Sequence, residues 1–126
     1  MKIEHFPQPK GSPKAPRNKP VEQAGNKKGR DTMKFDQLHQ EGLAGRNVCL
    51  AVLDSGAVHP DLQNRVVAFK DFFYKKDEKP YDDFFHGTAV STMAAGNGGP
   101  VPGVAPNANL AILKVTDENG SVEAFE

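Results

Sequence analysis

Little in this sequence could cross-link the chain or hold it in a membrane. It has one cysteine, Cys49, among its 126 residues, so no disulfide can form within the chain, and we expect a buried, inert thiol. No apolar run approaches the roughly 20 residues of a membrane span, so no membrane partner is predicted. The first residues reach Glu4, His5 and Pro7 without an apolar segment, which predicts that the protein has no secretory signal and is cytoplasmic.

A net charge is also absent, but the balance hides two unequal parts. The chain has 16 basic and 16 acidic side chains. Residues 1–30 hold eight Lys and Arg residues against two Glu residues, a net charge of +6 that the remainder of the chain balances with −6. Residues 1–31 also carry five prolines and few apolar side chains, which predicts a disordered basic extension.

This extension has three possible interpretations. It is a solvated tail, an arm for nucleic acid, or a segment that lies over a cleft through Ile3, Phe6 and Pro7. We favour the solvated tail, because the composition leaves almost nothing to bury, and we predict no nucleic-acid partner.

The strongest local signal is the apolar run of residues 48–53, which ends at Asp54, Ser55 and Gly56. Apolar residues without alternation predict a strand buried on both faces, and Asp54 then lies at its carboxyl end. In open parallel sheets, polar groups of ligand sites collect at that end, although an Asx turn or a helix cap would also place an aspartate there. Asp54 is therefore a candidate site residue.

Strand and helix patterns alternate along the rest of the chain. Further strands are predicted at about residues 65–69 and 109–115, with helices at about residues 35–43 and 86–96 and a last one that Ser121 caps and that continues to Glu126. Residues 70–83 mix charges and aromatic rings without a period, which predicts a surface loop. This order predicts an α/β fold with a parallel sheet and crossover helices.

His86 lies 32 residues after Asp54, at the start of a predicted helix of small residues. A carboxylate at a strand end can accept a hydrogen bond from the near imidazole nitrogen, which fixes the ring and stabilises its protonated form. Such a pair is the acid and base part of a nucleophilic triad. The alternative is a metal site that adds His59 and Asp61 to the pair, but this spacing matches no known ligand pattern, so we predict no metal and no cofactor.

Four motifs follow one another along residues 52–115. They are Val-Leu-Asp-Ser-Gly at 52–56, His-Pro-Asp-Leu at 59–62, His-Gly-Thr-Ala-Val at 86–90, and Gly-Val-Ala-Pro-Asn-Ala-Asn-Leu at 103–110 with Leu-Lys-Val at 113–115. In this order they resemble the amino-terminal part of the catalytic domain of the subtilisin-like serine proteases, the subtilase family. The resemblance implies that residues 32–126 are this part of the catalytic domain.

Several expectations come with the resemblance. It implies a three-layer α/β/α fold with a parallel sheet, incomplete in this chain, and proteolysis of a peptide or protein substrate through an acyl-enzyme. It makes Asp54 the orienting acid and His86 the general base. Asn119 and Gly120 would form one wall of the cleft that holds an extended substrate.

The chain also departs from the family pattern. In the family the nucleophilic serine and the asparagine of the oxyanion hole come later than residue 126. None of the four serines present lies in the nucleophile motif: Ser12, Ser55, Ser91 and Ser121. We therefore expect a fragment that has the Asp and His of the triad but not the Ser, and that is inactive by itself. The alternative is a truncated, inactive remnant or a peptide-binding module. The loop at residues 98–102 is shorter than the calcium-binding loop of secreted relatives, so no calcium site is predicted.

Overall fold

The structure, a computed structural model, describes residues 2–3, 29, 31–76, 79–99 and 102–123. Most of the predicted extension at residues 1–31 lies outside this part of the chain. Within the described residues, no helix has both the length and the hydrophobicity needed to cross a lipid bilayer.

The strands and helices follow the alternating order that the sequence predicts. In chain order they are β1 (Lys2–Ile3), α1 (Phe35–Gln40), β2 (Cys49–Asp54), a 3-10 turn (Pro60–Leu62), β3 (Val66–Asp71), α2 (His86–Ala95), β4 (Asn109–Lys114) and β5 (Val122–Glu123). The strands predicted near residues 65–69 and 109–115 are confirmed as β3 and β4. The helix predicted at residues 86–96 is confirmed as α2.

The helix predicted to begin at Ser121 is wrong, because Val122–Glu123 is strand β5. Asp117 closes a turn before this strand. Its Oδ1 accepts from the backbone N–H groups of Asn119 and Ser121, and its own N–H donates to the Ser121 carbonyl oxygen. The reversed chain is extended from there, and β5 pairs antiparallel with β1. A local turn thus overrides the capping signal of Ser121.

The main sheet has three parallel strands in the order β2, β4, β3. Its register places Asp54 of β2 and Asp71 of β3 on either side of Lys114 of β4. The carboxyl edge of the sheet therefore gathers three charged residues, at the edge where an α/β fold places its sites. The predicted α/β class with a parallel sheet is confirmed.

Helix α2 packs against one face of this sheet with its small residues. Gly87, Ser91 and Ala95 recur every four residues and are buried, so the helix lies close to the strands. The buried core beneath the helix also includes Ala57, Leu62, Leu110 and Ile112.

Strand β2 is not buried on both faces as its apolar run predicts. Its side chains alternate in exposure, with Leu53 63 % exposed and Cys49 also exposed. The strand lies at the edge of the sheet, and the described residues cover only the face that α2 occupies, so side chains on the other face meet solvent. The expected buried thiol of Cys49 is therefore an exposed one.

Candidate active site

The pair Asp54 and His86 meets at the carboxyl edge of the sheet. Asp54 is the last residue of β2 and His86 the first of α2, and Nδ1 of the imidazole lies 2.9 Å from both carboxylate oxygens. Because a carboxylate only accepts hydrogen bonds, Nδ1 is the donor in this contact, and in the neutral ring Nε2 then carries the lone pair. Among the described residues Nε2 has no hydrogen-bond partner, and the His86 side chain is 59 % exposed. The imidazole is thus oriented at one nitrogen and accessible at the other.

Gly87 lets the start of α2 approach the end of β2. A Cβ at this position would overlap the carbonyl oxygen of Gly56 and would lie 3.0 Å from the Cβ of Asp54. Gly56 itself has a φ of +116°, a conformation that residues with a Cβ rarely adopt. Two glycines close to the pair therefore permit the contact between the carboxylate and the imidazole.

Ser55 fastens the end of β2 to the start of α2. It has no exposed surface, and its backbone N–H donates to Oδ1 of Asp54 at 2.7 Å. Its hydroxyl oxygen accepts from the N–H of Gly87 at 2.9 Å and donates to Oδ1 of Asp82 at 2.8 Å. Both hydrogen-bonding roles of the hydroxyl are thus filled by structural partners.

Asp82 is a site residue that the sequence prediction missed, because it belongs to the segment interpreted as a surface loop. It is only 6 % exposed, and its Oδ1 accepts from the N–H groups of Phe84 and Phe85 and from the Ser55 hydroxyl. Its Oδ2 accepts from the N–H and the hydroxyl of Thr88. Burial alone raises the pKa of Asp82, but these hydrogen bonds outweigh burial and hold the pKa below its ordinary value. An acid just before a helix start is the signal that could have found it.

Lys114 is the second missed residue, because the apolar pattern around it indicates only a strand. Its side chain has no exposed surface, and Nζ donates to the carbonyl oxygen of Ser55 at 2.9 Å and pairs with Asp83. The ring centroids of Tyr81 and Tyr74 lie 5.2 Å and 5.7 Å from the same Nζ. The buried ammonium group therefore links β4 to the end of β2 and to the loop that precedes α2.

The predicted substrate wall, Asn119 and Gly120, lies near the pair. A Cβ on Gly120 would be 2.6 Å from the ring of Phe84, and that ring stacks on the His86 imidazole with centroids 6.4 Å apart. Asn119 is exposed, and its N–H donates to Asp117. One aromatic ring thus separates the wall residues from the imidazole.

His59 and Asp61 serve the 3-10 turn that follows β2. The N–H of Asp61 donates to Nδ1 of His59 at 3.2 Å, which is the geometry of a capped turn. In residues 2–3, 29, 31–76, 79–99 and 102–123 there is no group of three or more His, Cys, Asp and Glu side chains that could hold a metal ion.

Two clefts in the described chain do not include the pair. The first has a volume of about 460 Å³ and is apolar, with Met33, Phe35, Val90 and Met93 among its lining residues. The second has a volume of about 410 Å³ and lies beside the 3-10 turn, with Ala57, His59, Leu62 and Pro80 among its lining residues.

Known proteins are similar to this chain over the part that contains the pair. The sequence model of the Subtilase family matches residues 45–125. Serine protease AprX of Bacillus subtilis (strain 168) is 43 % identical over 84 residues, which are 63 % of this chain and 19 % of that protein. In the same organism, the major intracellular serine protease is 39 % identical over 97 residues and subtilisin E 45 % identical over 94 residues. Both matches cover 71 % of this chain, but only 30 % and 24 % of these two relatives.

Proposed function

The chain belongs to the subtilase family, and from this membership we propose that it contributes the acid and the base of a serine endopeptidase. Its parallel sheet and helices form part of a subtilisin-like α/β fold. In the proposal Asp54 is the orienting acid and His86 is the general base. The enzyme cleaves peptide or protein substrates through an acyl-enzyme.

The observation that carries this proposal is the contact of Nδ1 of His86 with both oxygens of Asp54, at 2.9 Å. Nε2 takes the proton of a serine hydroxyl as the serine oxygen attacks the scissile carbonyl carbon, and then gives that proton to the leaving amine. Between these steps the carboxylate stabilises the imidazolium and keeps the ring in one orientation. The same base then activates the water that releases the acyl group.

We place the nucleophilic serine outside these 126 residues. Of the described serines, Ser55 and Ser91 have no exposed surface, Ser121 is half-buried, and none of them hydrogen-bonds to His86. The match covers less than a third of the length of each relative named above. We therefore propose that residues 32–126 are the amino-terminal part of the catalytic domain and are inactive alone.

The 126-residue chain tests the position of the nucleophile. Fluorophosphonates react with activated serine hydroxyls, so we expect no covalent labelling of this chain by mass spectrometry. Stoichiometric labelling at any serine would contradict the proposal, and the modified residue would identify the nucleophile.

Peptide hydrolysis by the complete protein that contains this chain tests the roles of the pair. Asp54→Asn should lower kcat by about 10⁴-fold and His86→Ala by about 10⁶-fold, and the double variant should lower it little further than His86→Ala alone, because the two side chains act as one unit. Asp36→Asn on helix α1 makes the same chemical change on an exposed acid and should keep full activity. Full activity of Asp54→Asn would overturn the assignment.

A peptide-binding module without catalysis is the second candidate, and the pairing of β5 favours it. This strand follows the Asn119–Gly120 turn and already pairs antiparallel with one extended segment, β1, so under this alternative a peptide pairs there in place of β1. Under this alternative, labelled peptides bind to the chain, and the complete protein does not cleave them. Gly120→Ala should weaken that binding, because the new Cβ would press on the Phe84 ring.

We also propose a cytoplasmic location. One relative is described as the major intracellular serine protease of its organism, and this chain is 39 % identical to it. Immunoblots of cell fractions and of the culture medium test the proposal, and recovery of the protein from the medium would contradict it.

A further inference from the structure

We infer that Asp82 is a positioning residue, which holds the start of α2 and the end of β2 in the arrangement that gives His86 its contact with Asp54. The inference rests on the proposed function, because it concerns the pair that acts there as acid and base. Asp82 itself touches neither reacting atom. Its effect passes through Ser55 and through the first turn of α2.

One buried carboxylate orders several groups around His86. Asp82 accepts five hydrogen bonds, two of them from the N–H groups of Phe84 and Phe85, at 3.1 and 2.7 Å. Two more come from Thr88, whose N–H donates at 2.8 Å and whose hydroxyl donates at 2.5 Å. These groups lie on both sides of His86 in the sequence. The carboxylate therefore fixes the backbone before and after the imidazole.

Asp82 is also linked to the acid of the pair through Ser55. The fifth hydrogen bond comes from the hydroxyl of Ser55, which in turn accepts from the N–H of Gly87. The backbone N–H of Ser55 donates to Oδ1 of Asp54 at 2.7 Å. A continuous set of hydrogen bonds thus joins Asp82 to the carboxylate that orients the imidazole. The same serine touches the helix and the strand, so a shift of its hydroxyl would move both.

Asp82 also holds Phe85, the residue before the base, in its backbone conformation. Phe85 has a φ of +65°, in the left-handed region, which is unfavourable for a residue with a Cβ. Its N–H donates to Oδ1 of Asp82 at 2.7 Å. The hydrogen bond holds the chain in this conformation, and the chain enters α2 at His86 from there.

The negative charge of Asp82 also stabilises the start of α2. The lowered pKa of Asp82 keeps the carboxyl ionised at neutral pH, and a negative charge is favourable at the amino terminus of a helix. An asparagine in its place would present an NH₂ group either to the N–H of Thr88 or to the N–H groups of Phe84 and Phe85. Since two donors cannot bond to each other, Asp82→Asn breaks one half of the arrangement without a change in volume.

The experiment measures the tautomer of His86 by ¹⁵N NMR of the full 126-residue chain. The chain has four histidines, and His86→Gln assigns the signal. The wild type should show the Nδ1–H tautomer, and Asp54→Asn should replace it with the Nε2–H tautomer, because an amide can donate to Nδ1. Asp82→Asn should give a mixture of both tautomers, because His86 is then no longer held in a single orientation against Asp54.

Two controls separate positioning from general stability. Asp71→Asn makes the same change at another buried, multiply hydrogen-bonded carboxylate, and Ile112→Val makes a small cavity in the core. Both should lower the unfolding free energy and leave the tautomer of His86 unchanged. A wild-type tautomer in Asp82→Asn would overturn the inference and leave the proposed function intact. A wild type without the Nδ1–H tautomer would instead overturn the proposed function.

Thr88 supplies a second variant in case Asp82→Asn fails to fold. Thr88→Val keeps the side-chain shape but removes the hydroxyl that donates to Asp82 and accepts from the N–H of Val58, whereas Thr88→Ser keeps the hydroxyl. We expect a partial change of tautomer in the valine variant and a wild-type spectrum in the serine variant. Wild-type spectra from both variants would overturn the inference.

Discussion

Two buried aspartates, Asp71 and Asp82, form the same turn at two places in the chain. In each, Oδ1 accepts from the backbone N–H groups two and three residues ahead, and Oδ2 accepts from one further N–H and one hydroxyl. In both, burial alone raises the pKa, but the hydrogen bonds outweigh burial and lower it. The chain thus uses one local arrangement twice.

The two turns differ in the parts of the chain that they join. The hydrogen bonds described for Asp71 come from Phe73, Tyr74, Lys76 and Tyr81, which belong to the loop that Asp71 begins. Asp82 also accepts from Ser55, which follows β2, and its turn continues directly into α2. The same turn closes a loop in one place and joins a strand to a helix in the other. The contact from outside the turn gives Asp82 its relation to the site.

Lys114 lies between the two turns and offers the test with the largest expected effect. Its Nζ pairs with Asp83 in the Asp82 turn and faces the rings of Tyr74 and Tyr81 in the Asp71 turn. Asp83→Asn leaves the buried ammonium without its ion-pair partner, so we expect a loss of about 3 kcal/mol in the free energy of unfolding. Urea unfolding at pH 7 measures this loss.

The partner variant Lys114→Met should cost less, about 1 to 2 kcal/mol. It leaves a carboxylate, but Asp83 is 29 % exposed and water can solvate it, whereas Lys114 has no exposed surface. The double variant should resemble Lys114→Met alone. A larger loss for Lys114→Met than for Asp83→Asn would show that the Ser55 carbonyl oxygen and the rings of Tyr74 and Tyr81 stabilise the ammonium more than Asp83 does.

Gly87→Ala should disturb the contact between α2 and β2 that the Asp82 turn supports, and leave the Asp71 turn intact. The new Cβ would overlap the carbonyl oxygen of Gly56, so α2 must move away from β2 at a cost of about 2 kcal/mol. We also expect the Nδ1–H tautomer of His86 to be lost. Urea unfolding and ¹⁵N NMR measure the two effects.

The control is Gly42→Ala, where φ is +83° and no atom lies within 4 Å of the new Cβ. Backbone strain alone should cost it about 1 kcal/mol and leave His86 unchanged. Equal losses in the two variants would show that the close approach of α2 and β2 contributes nothing of its own.

Sequence patterns alone predict the position of a residue that lies at the end of a single strand or helix. Asp54 ends an apolar run and His86 begins a run of small residues, so each lies at a predictable end of a strand or helix. The parallel order of the sheet then brings the two ends together. The α/β class and the pair could therefore be predicted before any coordinates.

The buried charges could not be predicted in the same way. Asp71, Asp82 and Lys114 are buried because backbone N–H groups, hydroxyls and aromatic rings from distant segments surround them. A hydropathy pattern records none of these partners, and it assigns the two acids to a surface loop. The exposure of Leu53 also depends on which sheet face is covered, a property of the assembled fold.

The smallest expected effect is the acid sensitivity that both turns share. The unfolded chain protonates these carboxyls near their ordinary pKa of 3.8, while the folded chain protonates Asp71 and Asp82 only at lower pH. Between these values the unfolded state binds more protons, so stability rises with pH; their contribution is complete above about pH 5 and is lost as pH falls through the lower folded values. Melting temperatures measured from pH 6 to pH 3 should fall by a few degrees less in Asp71→Asn and in Asp82→Asn than in the wild type. The two variants should match in this slope and differ in the tautomer of His86, which only Asp82→Asn changes. If the melting temperature of either variant fell with pH as much as that of the wild type, the replaced carboxyl would not stabilise the fold as an anion.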